Sequence, residues 1–270
     1  MAYVAYNNIR ALLSNGDDQQ GDATGTYNIL YATNFNASNT TQLKRVKRIG
    51  QELDYYIQTG PKSASISTTI IPVTGASFNQ LTGFLALTGD FTSGSFIKVP
   101  NYTFKKCFLK SMNFSLEPWK PVLAEMQFDS YGQFSGGSIV SQAAQTADQN
   151  IIFPLRGMSI TLTAPEFSET INEYENLSFA VEVERMPNFE IGQAYPTKVS
   201  VGKITKSLQI NGISNLNWLS DYTATTTVTA TMTMADGNSF SVAGVLNSQN
   251  FSVDGNGVAK GGLQISEEMV

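Results

Sequence analysis

The sequence predicts a mainly β protein, a β-sandwich or barrel with one short flanking helix. Three observations support this fold class. Short stretches of alternating apolar and polar residues recur along the 270-residue chain. Clusters of Gly, Pro, Asn and Asp separate them, and helical spacing of apolar residues is confined to one segment. Many short strands between turn signals are typical of sandwiches and barrels.

The N-terminal segment, residues 1–35, is predicted to be an arm followed by a loop. Its first 14 residues fit a short helix only loosely, and residues 15–26 are rich in Gly, Asp and Gln. Such a composition is typical of exposed loops. The β domain is therefore expected to span residues 36–270.

The pattern changes from strand to helix between residues 52 and 87. Strands are predicted at 52–58 and 64–73, with Thr59-Gly60-Pro61 as the break between them. Residues 77–87 predict the flanking helix, because their apolar side chains recur at helical rather than strand spacing; these side chains are Phe78, Leu81, Phe84 and Leu85.

Two further strands are predicted at 105–116 and 121–129. The second alternates cleanly and predicts one apolar face, formed by Val122, Ala124, Met126 and Phe128. Residues 135–150 are small and polar and predict a linker.

The second half repeats this style. In the strand over 178–185, Phe179, Val181 and Val183 are expected to face the core, with Glu182 and Glu184 outside. Asp236-Gly237 then predicts a hairpin turn between 223–234 and 239–245. One face of its first strand is made of threonines, namely Thr225, Thr227, Thr229, Thr231 and Thr233.

Several kinds of active site are excluded by composition. The chain has no histidine and a single cysteine, Cys107. Histidine-dependent triads, thiolate zinc sites and internal disulfides are therefore ruled out. Oxygen-ligand metal sites and carboxylate chemistry remain possible from composition alone. No convincing catalytic set emerges, so we expect a protein that is not an enzyme and has no cofactor and no metal.

Charge is scarce and unevenly distributed. Charged residues make up 14% of the chain, against roughly 25% in typical soluble domains. Residues 1–135 hold 11 basic and 9 acidic side chains, and residues 136–270 hold 6 and 13. An acidic chain does not favour tight binding of nucleic acid. A surface with so few charges favours contact with further copies of the same chain.

Two charged groups are candidate inter-subunit contacts. The basic run comprises Lys44, Arg45, Lys47 and Arg48, and the acidic pair is Glu182 and Glu184. Opposite charges on neighbouring subunits would attract each other. The basic run could also contact phosphates, and solvated surface side chains are the simpler interpretation of both groups. The chain shows neither a secretory signal nor an apolar run long enough to span a membrane, so no membrane partner is expected.

The segments 107–137 and 176–213 resemble the tail tube proteins of tailed bacteriophages. In that family, alternating strands lead into a Pro turn, an aromatic–Gly tip and a return strand. Pro187, Phe189-Glu190-Ile191-Gly192 and the strand over 203–210 are similar to this plan. Ser115-Leu116-Glu117-Pro118 and Tyr131-Gly132 are similar to it in the first segment.

This resemblance implies a virion structural protein. Members of the family form rings, usually of six subunits, which stack into a hollow tube that conducts the genome without holding it. The implied location is the virion tail, assembled in the host cytoplasm beside other tail proteins. The Thr225–Thr233 face is then a candidate wall of the lumen or part of the exterior face. The chain is longer than the common single-domain form of this family, so the resemblance also implies insertions, an N-terminal arm over residues 1–35, or a partial repeat, a second tube-like unit before residue 140.

Two alternatives remain open. Another ring-forming component of the tail or neck, such as a distal tail or tube-capping protein, would share this composition. A carbohydrate-binding β-sandwich would use Trp119 or Trp218, with Tyr55, Tyr56 and Tyr131, to stack on sugars. The first would stop at a single ring, and the second would bind glycans as a monomer.

Overall fold

A computed structural model of the chain contains fifteen strands among the residues it describes. Those residues are 11–14, 28–30, 32–47, 49–50, 55–70, 95–99, 102–117, 120–132, 134–136, 158–165, 167–214, 227–233, 239–253, 255–256 and 259–269. The strands are β1 (Ala11–Ser14), β2 (Asn28–Leu30), β3 (Ala32–Val46), β4 (Tyr55–Ile70), β5 (Ser95–Val99), β6 (Tyr102–Leu116), β7 (Leu123–Ser130), β8 (Phe134–Gly136), β9 (Ser159–Ala164), β10 (Phe167–Ile171), β11 (Asn176–Asn188), β12 (Lys198–Ile213), β13 (Thr227–Thr233), β14 (Ser239–Val253) and β15 (Ala259–Met269).

All fifteen strands belong to one antiparallel sheet. Its longest path runs β10-β9-β13-β14-β15-β12-β11-β6-β5-β1-β2. Strand β6 is also a branch point, because its other edge pairs with β7, which leads on to β4 and β3. The mainly β prediction is confirmed. The described residues contain no helix, and the helix predicted at 77–87 lies outside them.

One face of the sheet is apolar and buried. The alternation read from the sequence is confirmed in β7, where Val122 at the strand entry, then Ala124, Met126 and Phe128, are buried. In β11, Phe179, Val181 and Val183 are buried, while Glu182 and Glu184 are exposed. A single cluster of buried side chains joins strands from both halves of the chain. The side-chain period of two thus sets the inner face.

The two halves of the chain have the same strand order. Strands β1–β7 are arranged 2-1-5-6-7-4-3, and strands β9–β15 are arranged 10-9-13-14-15-12-11. Each strand number in the second order equals the number at the same place in the first order plus eight. Every pairing within the first unit therefore has its counterpart in the second. We call β1–β7 the first unit and β9–β15 the second unit.

In the described part of the chain, one strand pairing, which we call the joint, connects the two units. Strand β6 of the first unit pairs with β11 of the second, from Leu116↔Leu177 to Ser111↔Glu182. Strand β11, the counterpart of β3, is the last strand in the order of the second unit. Strand β6 is the branch point in the first unit. The joint therefore pairs the last strand of the second unit with the branch strand of the first. The core is consequently continuous across it, with Phe114 opposite Phe179.

Three sequence-based boundaries differ in the structure. Strand β4 continues through Thr59-Gly60-Pro61, where a shift in register accommodates the proline in a two-stranded segment. Residues 11–14 and 28–30, inside the segment expected to be an arm, are strands of the sheet. Residues 134–136, around the start of the expected linker, form β8 against β6; residues 137–150 lie outside the described part.

Candidate functional site

The outer face of the sheet is a continuous polar surface, which we call the polar face. One row of directly paired residues crosses nine strands, and none of its members is buried. The row runs Thr227, Val245, Ser266, Ser207, Ala180, Asn113, Glu125, Thr69 and Asn34.

A second row lies beside the first and crosses seven strands. It runs Glu268, Thr205, Glu182, Ser111, Gln127, Ser67 and Asn36. The two rows together carry three carboxylates, Glu125, Glu182 and Glu268, and no lysine or arginine. The polar face therefore has an acidic to neutral character along these rows.

The predicted threonine face belongs to this surface. Thr227 is exposed, and Thr229, Thr231 and Thr233 are partly exposed, on the side of β13 opposite the buried Val228 and Met232. Thr231 lies opposite Ser241, with their hydroxyl oxygens 2.9 Å apart. Thr225 lies outside the described residues. The short hydroxyl side chains leave this side of the strand polar and uncharged.

Several strand edges are open in the described part of the chain, including those of the short strands β2, β8 and β10. The two longest uncharged ones belong to β3 and β14. Strand β3 pairs only with β4. Strand β14 pairs with β13 as far as Val245, and from Leu246 to Val253 it pairs with β15 alone. Such edges present backbone donors and acceptors to any further strand. The segments Ala32–Thr41 and Leu246–Val253 carry no charged residue that would discourage pairing.

The open segment of β14 repeats a segment of β6 in sequence and in structure. Leu109-Lys-Ser-Met-Asn-Phe-Ser-Leu116 corresponds to Leu246-Asn-Ser-Gln-Asn-Phe-Ser-Val253. Both strands have a β-bulge at the second position of the segment. The bulge of β6 lies between Leu109 and Ser111, and the bulge of β14 lies between Leu246 and Ser248. This repeat was missed by sequence reasoning. The signal was available, as a shared Leu-x-Ser-x-Asn-Phe-Ser pattern 137 positions apart.

A second repeat marks the ends of two projecting hairpins, which we call the arms. The β3–β4 arm turns at Ile49-Gly50 and the β11–β12 arm at Ile191-Gly192. In both, the isoleucine is fully exposed and the glycine has a left-handed φ, of 85° and 87°. In both, Gln follows the glycine in sequence. The two tips therefore each present an isoleucine that no side chain in the described part of the chain covers.

The candidate inter-subunit charges are placed on different parts of the sheet. Lys44, Arg45 and Lys47 are exposed on the β3–β4 arm; the side chain of Arg48 lies outside the described residues. Glu182 lies in the second row of the polar face, and Glu184 lies at the base of the β11–β12 arm. Strands β4, β7 and β6 separate β3 from β11. The fold of one chain does not bring the basic and acidic groups together.

A side-chain cluster reinforces the joint between the units. Arg185 of β11 donates from Nε to the carbonyl oxygen of Leu109 at 2.9 Å, where the bulge of β6 leaves that carbonyl accessible. Its guanidinium lies 5.6 Å from the ring centre of Phe108, which packs on Tyr131. Burial raises the pKa of Asp129 beside them, more than Lys110 and Arg185 lower it. The contacts of Arg185 with Leu109 and Phe108 thus link β11 to β6 beside the joint.

The other sequence candidates contribute little chemistry. Cys107 is buried, and burial raises the pKa of its thiol to about 12, so it is unreactive. Tyr131 is buried and gives no exposed sugar-stacking surface; Trp119 and Trp218 lie outside the described residues.

Among the residues the structure describes, no group of three acidic or thiol side chains is positioned to hold a metal ion. Within the same ranges, no helix combines the length and apolar character that crossing a bilayer requires.

Comparison with known proteins gives no assignment: no protein-family model matches the chain, and no curated protein matches it significantly.

Proposed function

We propose that this chain is a structural protein of a bacteriophage tail, whose copies assemble into rings that stack as the tail tube. The observation that carries the proposal is the polar face. A mainly polar surface, rich in Ser, Thr and Asn and interrupted by Val245 and Ala180, crosses nine strands opposite a buried apolar face. The resemblance of segments 107–137 and 176–213 to tail tube proteins supports the same function.

A wall of this composition suits the passage of DNA. Affinity for the DNA backbone comes mainly from lysine and arginine that neutralise phosphates. The two rows of the polar face contain neither residue. Lys203, beside the second row, pairs with Glu268 at 2.7 Å, so the repulsion of phosphate comes from the other two carboxylates, Glu125 and Glu182. DNA would therefore move past this surface without being held. Threonine is also favoured in strands, so the wall keeps its shape without an apolar cover.

The open edges suit assembly. A protein that remained monomeric would be expected to protect long strand edges with charge or proline. Here the open segments of β3 and β14 are uncharged over at least eight residues each. Edge-to-edge pairing between identical chains would extend the sheet around a ring. In the proposed architecture, the sheet of each subunit also curves into a sandwich or barrel.

The test uses the purified full-length chain at increasing concentration. Sedimentation velocity is expected to show large species, and negative-stain electron microscopy is expected to show rings with an open centre and tubes built from them. A chain that remains monomeric at high concentration would exclude the tube. Rings that never elongate would instead identify a distal tail or tube-capping protein.

A further inference from the structure

We infer that the open edge of β14 pairs with the open edge of β3 from a second copy of this chain, in the register of the joint between β6 and β11. The inference deepens the proposed function and rests on its self-assembly. It names the two edges that meet and the residues that lie opposite each other.

The internal repeat identifies the two edges as halves of one joint. In the first unit, Ser111 pairs with Gln127, Gln127 with Ser67, and Ser67 with Asn36. In the second unit, Ser248 pairs with Gln264, Gln264 with Gln209, and Gln209 with Ser178. The strand β3 is thus equivalent to β11, and β14 is equivalent to β6.

Among the residues that the structure describes, this joint forms once, and the equivalent edges of β14 and β3 are open. Strand β6 is occupied by β11, whereas the equivalent segment of β14 has no strand on that side in the described part of the chain. Strand β11 is occupied by β6, whereas β3 is open. A second copy supplies the missing strand at each end. The contact is head-to-tail, and such contacts close into rings when the rotation between copies permits.

Exposed apolar side chains mark the open side of β14. Phe251 and Val253 are 63% and 56% exposed, and their counterparts Phe114 and Leu116 are 3% and 0% exposed. In the internal joint, Phe114 lies opposite Phe179 and Leu116 opposite Leu177. Covering Phe251 and Val253 in the same way removes apolar surface from water, which favours the contact.

The internal register fixes the partners between copies. Ser178 pairs with Ser115, so its counterpart Asn36 is expected opposite Ser252. Ala180 pairs with Asn113, so Ser38 is expected opposite Asn250. Phe35 then lies beside Val253, and the small Ala37 lies beside Phe251. Both edges are uncharged here, so no like charges oppose the pairing.

Cysteine cross-linking tests the register. The variant Ser38→Cys/Asn250→Cys is oxidised at an assembling concentration and run on a non-reducing gel. A ladder of covalent dimers, trimers and larger species is expected, because directly opposed strand residues lie within disulfide range. The variant Asn39→Cys/Asn250→Cys, slipped by one residue, places its thiols on opposite faces and is expected to give no ladder. Native Cys107 is buried and adds no background.

The internal joint provides the positive control. Asn113→Cys/Ala180→Cys is expected to form a disulfide within one chain at any concentration, seen as faster migration without a ladder. Rings or tubes that assemble without a ladder for Ser38→Cys/Asn250→Cys would overturn this joint and leave the proposed function standing. A chain that stays monomeric would overturn both. A ladder without rings or tubes would support the joint and exclude the tube.

Discussion

Phe114 and Phe251 occupy the same position in two equivalent strands, yet Phe114 is 3% exposed and Phe251 is 63% exposed. Both follow a Leu-x-Ser-x-Asn segment with a β-bulge at its second residue. The difference arises from their neighbours, because β11 covers Phe114 and no strand in the described part of the chain covers Phe251. Phe114 therefore lies within a strand pairing, whereas Phe251 lies on a strand edge that is open in the described part of the chain.

Substitution of these two phenylalanines is expected to have opposite consequences. Phe114→Ala removes a buried ring and should lower the free energy of unfolding by about 3–5 kcal/mol. Phe251→Asp should leave the unfolding of the monomer within about 1 kcal/mol, as expected for surface substitutions, and should prevent self-association. Urea denaturation and sedimentation velocity measure the two effects. Val245→Asp, an exposed residue of β14 on the polar face, is the control that should still associate; association by Phe251→Asp would contradict the role given to this edge.

The arm tips are expected to act after ring formation. Ile49→Ser/Ile191→Ser replaces two fully exposed side chains, so the folded subunit should lose no measurable stability. If the tips insert between successive rings, the double variant should form rings of normal diameter that stack poorly, giving short tubes in negative stain. Glu190→Gln, beside one of the tips, is a control for disturbance of the turn. Tubes of normal length from the double variant would remove the arms from the stacking contact.

The sequence predicted the inner and outer faces of strands, because a period of two is a local property of the chain. The assignments of Phe179, Val181, Val183 and the threonines of β13 depended on that period alone. The order of strands was not predicted, since alternation does not say which strand lies beside which. The repeat that reflects this order is short: five of its eight positions are identical in the two segments, and they are Leu, Ser, Asn, Phe and Ser. These residues are common in this chain, so the sequence match alone is weak evidence of a repeat. The structure adds the evidence that the β-bulges of β6 and β14 fall at the same position of the segment.

Lysines on the polar face are expected to slow DNA passage. Thr227→Lys/Thr231→Lys places two cations per chain on the proposed wall of the lumen, where they would bind phosphate. Phage particles assembled with this variant should release DNA more slowly. The effect should weaken at higher salt, because contacts between lysine and phosphate depend on the release of counterions. Gln193→Lys, in the tip of the β11–β12 arm, adds a cation away from the wall. Release at the normal rate by the double threonine variant would place the lumen on another surface.

An ion pair on the buried side of the second unit has an uncharged counterpart in the first. Lys206 Nζ lies 3.1 Å from Glu267 Oε2, with both side chains 19% exposed. The equivalent paired residues of the first unit are Ala64 and Ser130. Lys206→Ala should lower the free energy of unfolding by about 1–3 kcal/mol, because it leaves a partly buried carboxylate without its partner. The double variant Lys206→Ala/Glu267→Ser introduces the residue pair found in the first unit. Its loss in free energy of unfolding should be clearly smaller than the sum of the losses in the two single variants. Purely additive losses in urea denaturation would show that the charges are not coupled.

The pH dependence of stability should contain a contribution from Asp129. Burial raises the pKa of this carboxyl above its ordinary 3.8, so the folded chain binds the proton more tightly than the unfolded chain. The stabilisation from that proton is fully present below the unfolded pKa and is lost as the pH rises through the folded pKa. Asp129→Asn should therefore gain stability relative to the parent chain between pH 3 and pH 7. Urea denaturation at both pH values, in the Phe251→Asp background to exclude assembly, measures the difference. Glu190→Gln, which replaces an exposed carboxyl on an arm, is the control. If the stability of Asp129→Asn relative to the parent chain fell as the pH rose, the effect of Lys110 and Arg185 on the pKa of Asp129 would be larger than the effect of burial.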